Sequence, residues 1–175
     1  VMQDLLRTVP RPRPEQQERY PLPGMRHIPL QAALLRPERQ ERAGPAGLAF
    51  AVNAASRGHS VTLFDALAEI GGQFTVARQI PGKEEFYETL RYYRRMTELT
   101  GVELRLSQWM NAADLIGFDE VILASGIVPR TPAIEGIDHP KVLSYLDVLR
   151  DKAPVGEKVA IIGCGGIGFD TAMYL

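Results

Sequence analysis

The residues with the clearest chemical use are glycines. Residues 158–168 read KVAIIGCGGIG, an apolar run that passes directly into Gly163, Gly165 and Gly168. The G-x-G-x-x-G spacing suits a strand-to-helix turn. Its first glycine makes the tight turn, the second lets the backbone approach a pyrophosphate, and the third lets helix and strand pack closely. The helix that follows offers unpaired N–H groups and a positive dipole end to phosphate oxygens. The same spacing recurs at residues 42–47 (RAGPAG), with Arg42 at the place of the first glycine. Gly44 and Gly47 keep the approach and packing roles. Asp65 ends an apolar run downstream of Gly44, at the spacing of a carboxylate that accepts hydrogen bonds from an adenosine ribose. The bland alternatives are a glycine-rich turn without a ligand and a carboxylate that serves a turn or cap.

Positioning these groups requires alternating helices and strands. Leu48, Ala51, Val52 and Ala55 recur at helical spacing, Pro45 suits a first helical turn, and Gly58 stands where the helix should end. Residues 60–64 (SVTLF) read as a buried strand, residues 102–106 and 120–124 as further strands, and residues 158–162 as the last. Phe86, Leu90, Tyr93 and Thr97 give a second helical face, with Arg91, Arg94 and Arg95 toward solvent and Gly101 closing the helix. The alternation predicts an α/β fold: a doubly wound, Rossmann-like half-domain truncated at the start of a second Rossmann motif. Residues 123–130 (LASGIVPR) leave a strand with Gly126 free for close backbone approach and Pro129 stiffening the path.

Composition removes other classes. The single cysteine, Cys164, excludes a disulfide framework or multi-thiolate cluster within this chain and reads as a small buried residue of the turn. His27, His59 and His139 lie far apart, so no metal site is expected. A net charge of -1 gives no footprint for nucleic acid, and no run approaches the length of a membrane span or a secretory leader, which makes a cytoplasmic location the expectation. Residues 1–42 differ from the rest: they carry eight Arg against five Asp and Glu, and seven of the thirteen prolines. This segment reads as a disordered leader or one foreign to the fold. Residues 36–42 (RPERQER) stand where the first, central strand should be nearly continuous Val, Ile and Leu.

With these motifs in view, residues 43–175 resemble the FAD-domain region of bacterial NADPH-dependent 2,4-dienoyl-CoA reductase. The resemblance rests on GPAGLAFAVNAASRGHSVTLFDALAEIGGQF, QIPGKEEFYETLRYYRR, ILASGIVPRTPAIEGIDHPKVLSYLDVL and VAIIGCGGIGFDTAMYL. Trimethylamine dehydrogenase and the small subunit of glutamate synthase share less of it. The resemblance implies a parent enzyme with an FMN-bearing barrel and a 4Fe-4S cluster, both outside this chain, and an unsaturated acyl-CoA substrate that this segment does not bind. It implies that Ala46 presents its backbone to the FAD pyrophosphate, that Asp65 holds the ribose, and that Gln73 in the Gly71-Gly72-Gln73 loop meets the flavin end. Lys83 would lie along the same cofactor, and Met110 would meet adenine through its main chain.

The expected organisation is a leader (1–42), an FAD-binding half-domain without its first strand (43–156), and the start of an NAD(P)H-binding domain (157–175). The expected function is part of the NADPH-to-FAD electron-input module, inactive alone. No acid, base or nucleophile with a supporting partner stands out, which fits a region whose chemistry belongs to its cofactors. The alternatives are the electron-input part of another flavoprotein, of the glutamate synthase or trimethylamine dehydrogenase kind, and a non-catalytic nucleotide-binding module.

Overall fold

The structure, a computed structural model, describes residues 43–175. The readings of the 1–42 leader, of Arg42 and of the polar run before Ala43 lie outside the described residues. Helix α1 (Pro45–Ser56) starts where the sequence places it, with Gly44 as an extended N-cap and Pro45 in the first turn. Its buried face is Gly47, Leu48, Ala51, Val52 and Ala54. The amides of Arg57, Gly58 and His59 return to the carbonyls of Ala54 and Ala55, and Gly58 takes a φ of 90°, so the helix end is satisfied by the chain turning back on itself.

Strand β1 (Thr62–Phe64) follows, with all three residues buried. A short helix α2 (Gln73–Ala77) and the long helix α3 (Glu85–Thr100) then cross over to β2 (Glu103–Arg105). The strands pair in parallel, Thr62 opposite Glu103, Leu63 opposite Leu104 and Phe64 opposite Arg105, and parallel pairing requires such a crossover. Across the pair the Thr62 hydroxyl donates to the Glu103 carboxylate at 3.0 Å. The Arg105 guanidinium first, and the Thr62 hydroxyl after it, hold the Glu103 carboxyl below the usual carboxylate range.

Helix α3 is closed by Gly101 in the left-handed region, φ 74°, after placing Glu85 and Glu88 in its first turn, where the dipole favours acids. It buries Leu90 and Thr97, the core of its expected face, and packs on α1. The core gathers Ala43, Leu48, Ala51, Ala54, Val61, Leu63, Ile70 and Val102. A 3-10 turn (Ala112–Leu115) and two further helices, α4 (Tyr145–Leu149) and α5 (Gly166–Tyr174), complete the elements of the described residues. Val76, Ile80 and Leu149 form a second cluster that takes in Tyr174 of α5.

The α/β character holds, but the sheet of the described residues has two strands where four are expected from the sequence. Residues 120–124 and 158–162 form no ladder. A strand exists only with a hydrogen-bonded neighbour. In the doubly wound order 3-2-1-4 the first strand separates the second from the fourth, and its place falls before Ala43. Ile122 and Ala124 still pack against the core, so residues 120–124 keep their position without their pairing. Residues 158–162 have no neighbouring strand among the described residues, and Ile162 is 75% exposed. Cys164, expected to be buried in its turn, is exposed for the same reason.

Candidate dinucleotide-binding site

Three segments far apart in sequence meet at the start of α1. The amide of Gly71 donates to the carbonyl of Ala43 at 2.7 Å, so the Gly71-Gly72 loop runs against the first glycine turn. A β-carbon at Gly72 would lie 2.9 Å from the Cα of Gly44, whereas one at Gly44 itself would meet nothing within 4 Å. Gly44 therefore faces open space on one side and the Gly71-Gly72 loop on the other. Ala46 is exposed at the helix start while Gly47 is buried, and the N-cap has no side-chain hydrogen bond. The first-turn N–H groups are thus available to an external acceptor, as an anion site at a helix start requires.

Asp65 sits beneath this turn. It is 2% exposed, and its carboxylate accepts the amide of Ala43 and, at 2.7 Å, the amide of Leu67. The carboxylate expected on a ribose is here engaged with the backbone of the turn itself. Its own carbonyl accepts the amide of Gln108 at 2.9 Å, which brings the segment carrying half-buried Met110 to the same end of β1. Gly126 has a φ of 67° and lies exposed in an irregular segment. Among the described residues no hydrogen bond joins it to either glycine turn.

Gln73 and Lys83 share a cleft of about 220 Å³ with Phe74, Phe86, Ile167 and Asp170. The rings of Phe74 and Phe86 stand 4.6 Å apart. Lys83 Nζ donates to Asp170 Oδ2 at 2.6 Å, across 87 residues of sequence, and so ties the loop before α3 to helix α5. Lys152 adds a second tie, its Nζ donating to Gln79 Oε1 and to the Tyr174 hydroxyl at 3.0 Å each. Sequence reasoning missed Asp170 and the aromatic lining. The only available signal for Asp170 was its place directly after the glycine turn, and no spacing rule links it to Lys83.

The second turn has the geometry its glycines predict. Gly163 takes a φ of 116°, Gly165 is the extended N-cap of α5, and a β-carbon at Gly168 would fall 2.2 Å from the Gly163 carbonyl oxygen. Gly168 is thus required by close packing of the turn on the helix. Gly163 and Gly165 are open to a ligand, with nothing within 4 Å of an added β-carbon.

A parallel crossover fold with two glycine turns at helix starts defines a dinucleotide-binding protein of the Rossmann kind. Residues 43–175 match the family described as pyridine nucleotide-disulphide oxidoreductase, and the chain belongs to that family, whose members carry a Rossmann-like FAD- and NAD(P)-binding domain. It is 40% identical over 134 residues to a cinnamate reductase of Clostridium sporogenes, which covers 75% of this chain and 20% of that protein. It is 37% identical over 142 residues to an NADH oxidase of Thermoanaerobacter brockii, covering 75% of this chain and 21% of the relative. Among solved structures it is similar to a 2-naphthoyl-CoA reductase, with a TM-score of 0.76, 33% identity, and coverage of 83% of this chain and 21% of the other. The chain spans about a fifth of the length of these relatives. These relatives are flavoprotein oxidoreductases. No helix of the described residues is long and apolar enough to cross a membrane.

Proposed function

We infer that this chain supplies part of the electron-input module, NADPH to FAD, of a flavoprotein like 2,4-dienoyl-CoA reductase. Residues 43–156 serve as the FAD-binding half and residues 157–175 begin the nicotinamide-binding part. The observation that carries the reading is the Lys83–Asp170 ion pair, which ties the helix of the second glycine turn to the loop before α3, in the cleft that Gln73 also lines. Two dinucleotide sites need such a juncture if one cofactor is to reduce the other. The relatives differ in what their names say they reduce, cinnamate, metal or bilirubin, while sharing this stretch. A shared stretch among reductases of different acceptors supports a task upstream of the acceptor.

FAD, when bound, supplies hydride acceptance and onward electron transfer. This chain's residues bind and orient it. The first-turn amides near Ala46 hold the pyrophosphate, with Gly44 leaving room for its approach. Gln73 meets the flavin end, Lys83 lies along the same cofactor, Met110 meets adenine, and Gly126 permits close backbone approach to the cofactor. Asp65 orders the turn through Ala43 and reaches the ribose when that contact opens. Gly163 and Gly165 admit the nicotinamide dinucleotide.

The test replaces residues 37–44 with an apolar strand followed by Gly-Ala-Gly and compares flavin retained after gel filtration. The repaired chain should retain FAD and the original should lose most of it, because Arg42 does not supply the glycine turn and RPERQER is not an apolar strand. A repaired chain that retains no FAD would overturn this reading, and equal retention by both proteins would show that the damage to the first turn is only apparent.

A further inference from the structure

A second cavity, of about 170 Å³, opens beside the segment that leads into the Gly71-Gly72 loop and is lined by Glu69, Arg78, Tyr87, Leu90, Arg91 and Arg94, with Ile70 beneath. Tyr87, Leu90, Arg91 and Arg94 are spaced i, i+3, i+4 and i+7, so α3 presents them on one face. Arg78, just past the end of α2, closes the other side. Its Nη2 donates to both carboxylate oxygens of Glu69, at 3.1 and 3.2 Å, and its guanidinium lies 5.2 Å from the centre of the Tyr87 ring. Its Nε is buried and makes no hydrogen bond among the described residues. Arg91 pairs with Glu88 one turn back, while the Arg94 guanidinium has no carboxylate partner among the described residues.

We propose that this cavity is a binding site for a phosphate-type oxyanion, carried by a nucleotide or free in solution. Three guanidinium groups face two carboxylates, Glu69 and Glu88, which leaves an excess positive charge. The Arg94 guanidinium, which lines the cavity without a carboxylate partner among the described residues, is the donor left for an oxyanion seated here. Glu69 shows that an oxyanion seats against Arg78, both of its carboxylate oxygens accepting from the one nitrogen Nη2. Guanidinium forks match tetrahedral phosphate oxygens. The volume is below the range of about 300–1,000 Å³ usual for a whole cofactor or drug-sized ligand, so the site takes a phosphate or pyrophosphate group and not an entire dinucleotide. The partly exposed Tyr87 ring at the mouth gives a nucleoside somewhere to lie.

The site is tested by calorimetric titration of the full chain with inorganic pyrophosphate in a chloride buffer, beside Arg94→Gln and Arg95→Gln. Arg95 pairs with Glu98 on the same helix and does not line the cavity. Arg94→Gln should weaken binding about tenfold, the scale of one charged hydrogen bond, and Arg95→Gln should leave it unchanged. Arg94 is exposed, so its loss leaves the fold intact. Absence of binding by the original chain would overturn the proposal. So would undiminished binding by Arg94→Gln, which would assign the anion to the glycine turns, or equal losses in both variants, which would reduce the effect to general charge. A parallel titration with AMP separates the sources. Tighter binding of AMP than of inorganic phosphate that is lost in Arg94→Gln identifies a nucleotide at this cavity, and equal Arg94-dependent binding shows that the phosphate group alone is read.

Discussion

Gly72 stands against Gly44 at backbone contact distance: a β-carbon on Gly72 would come within 2.9 Å of the Gly44 Cα. The neighbour is main chain of the first glycine turn, which cannot swing aside as a flexible side chain would. Gly72 also has a φ of 51°, in the left-handed region. Gly72→Ala should therefore destabilise the fold by about 1 to 3 kcal/mol, the sum of a left-handed alanine and an overpacked contact. Gly82 provides the comparison, because its φ is 82° but an added β-carbon would meet nothing within 4 Å. Gly82→Ala should cost only about 1 kcal/mol. Denaturant midpoints measure both, and equal losses would show that the approach to Gly44 contributes nothing.

The Asp65 carboxylate is the second support of the same turn. Removing it leaves the buried amide of Ala43 and the half-buried amide of Leu67 without their acceptor. Asp65→Ala should then lower stability by about 1 to 3 kcal/mol in the absence of any cofactor. Asp65→Asn, which keeps one acceptor oxygen, should fall between. A residue that acted only on a ribose would leave the unfolding midpoint of the cofactor-free chain unchanged, and that result would sink the supporting role.

These two residues also mark how far the sequence could be read. Local signals were sufficient for α1 and α3, because Pro45, Gly58 and Gly101 punctuate them and apolar spacing picks out Leu48, Val52, Leu90 and Thr97. They were sufficient for β1 and β2, whose partners are each other. They failed for residues 120–124 and 158–162, since an apolar β-branched run specifies extended chain but cannot supply the strand beside it. The glycine roles were legible because each is a local steric demand, as Gly168 against the Gly163 carbonyl shows. The seating of Asp65 under Ala43 and the pairing of Lys83 with Asp170 were not, because both are products of long-range packing with no spacing signature.

Helix α5 depends on few contacts, and the Lys83–Asp170 pair is among them. Of its nine residues only Thr171 is buried, while Phe169 and Met173 are 65% and 58% exposed. The helix is held by Ile167 in the cleft, by Tyr174 against the second apolar cluster, and by the ties from Lys83 and Lys152. The Lys83 and Asp170 side chains are 37% and 27% exposed, so the pair is partly screened and should contribute about 0.5 to 1 kcal/mol. An element so weakly attached opens locally, and hydrogen exchange at its amides reports that opening. Lys83→Gln and Asp170→Asn should each speed exchange in α5, and the double variant should be no faster than the faster single one, because each alone already breaks the pair. Raising ionic strength should speed exchange in the original chain and have less effect in the variants. Fully additive effects of the two substitutions, or exchange in the original chain that ignores salt, would show that the ion pair does not hold helix α5 against the loop before α3.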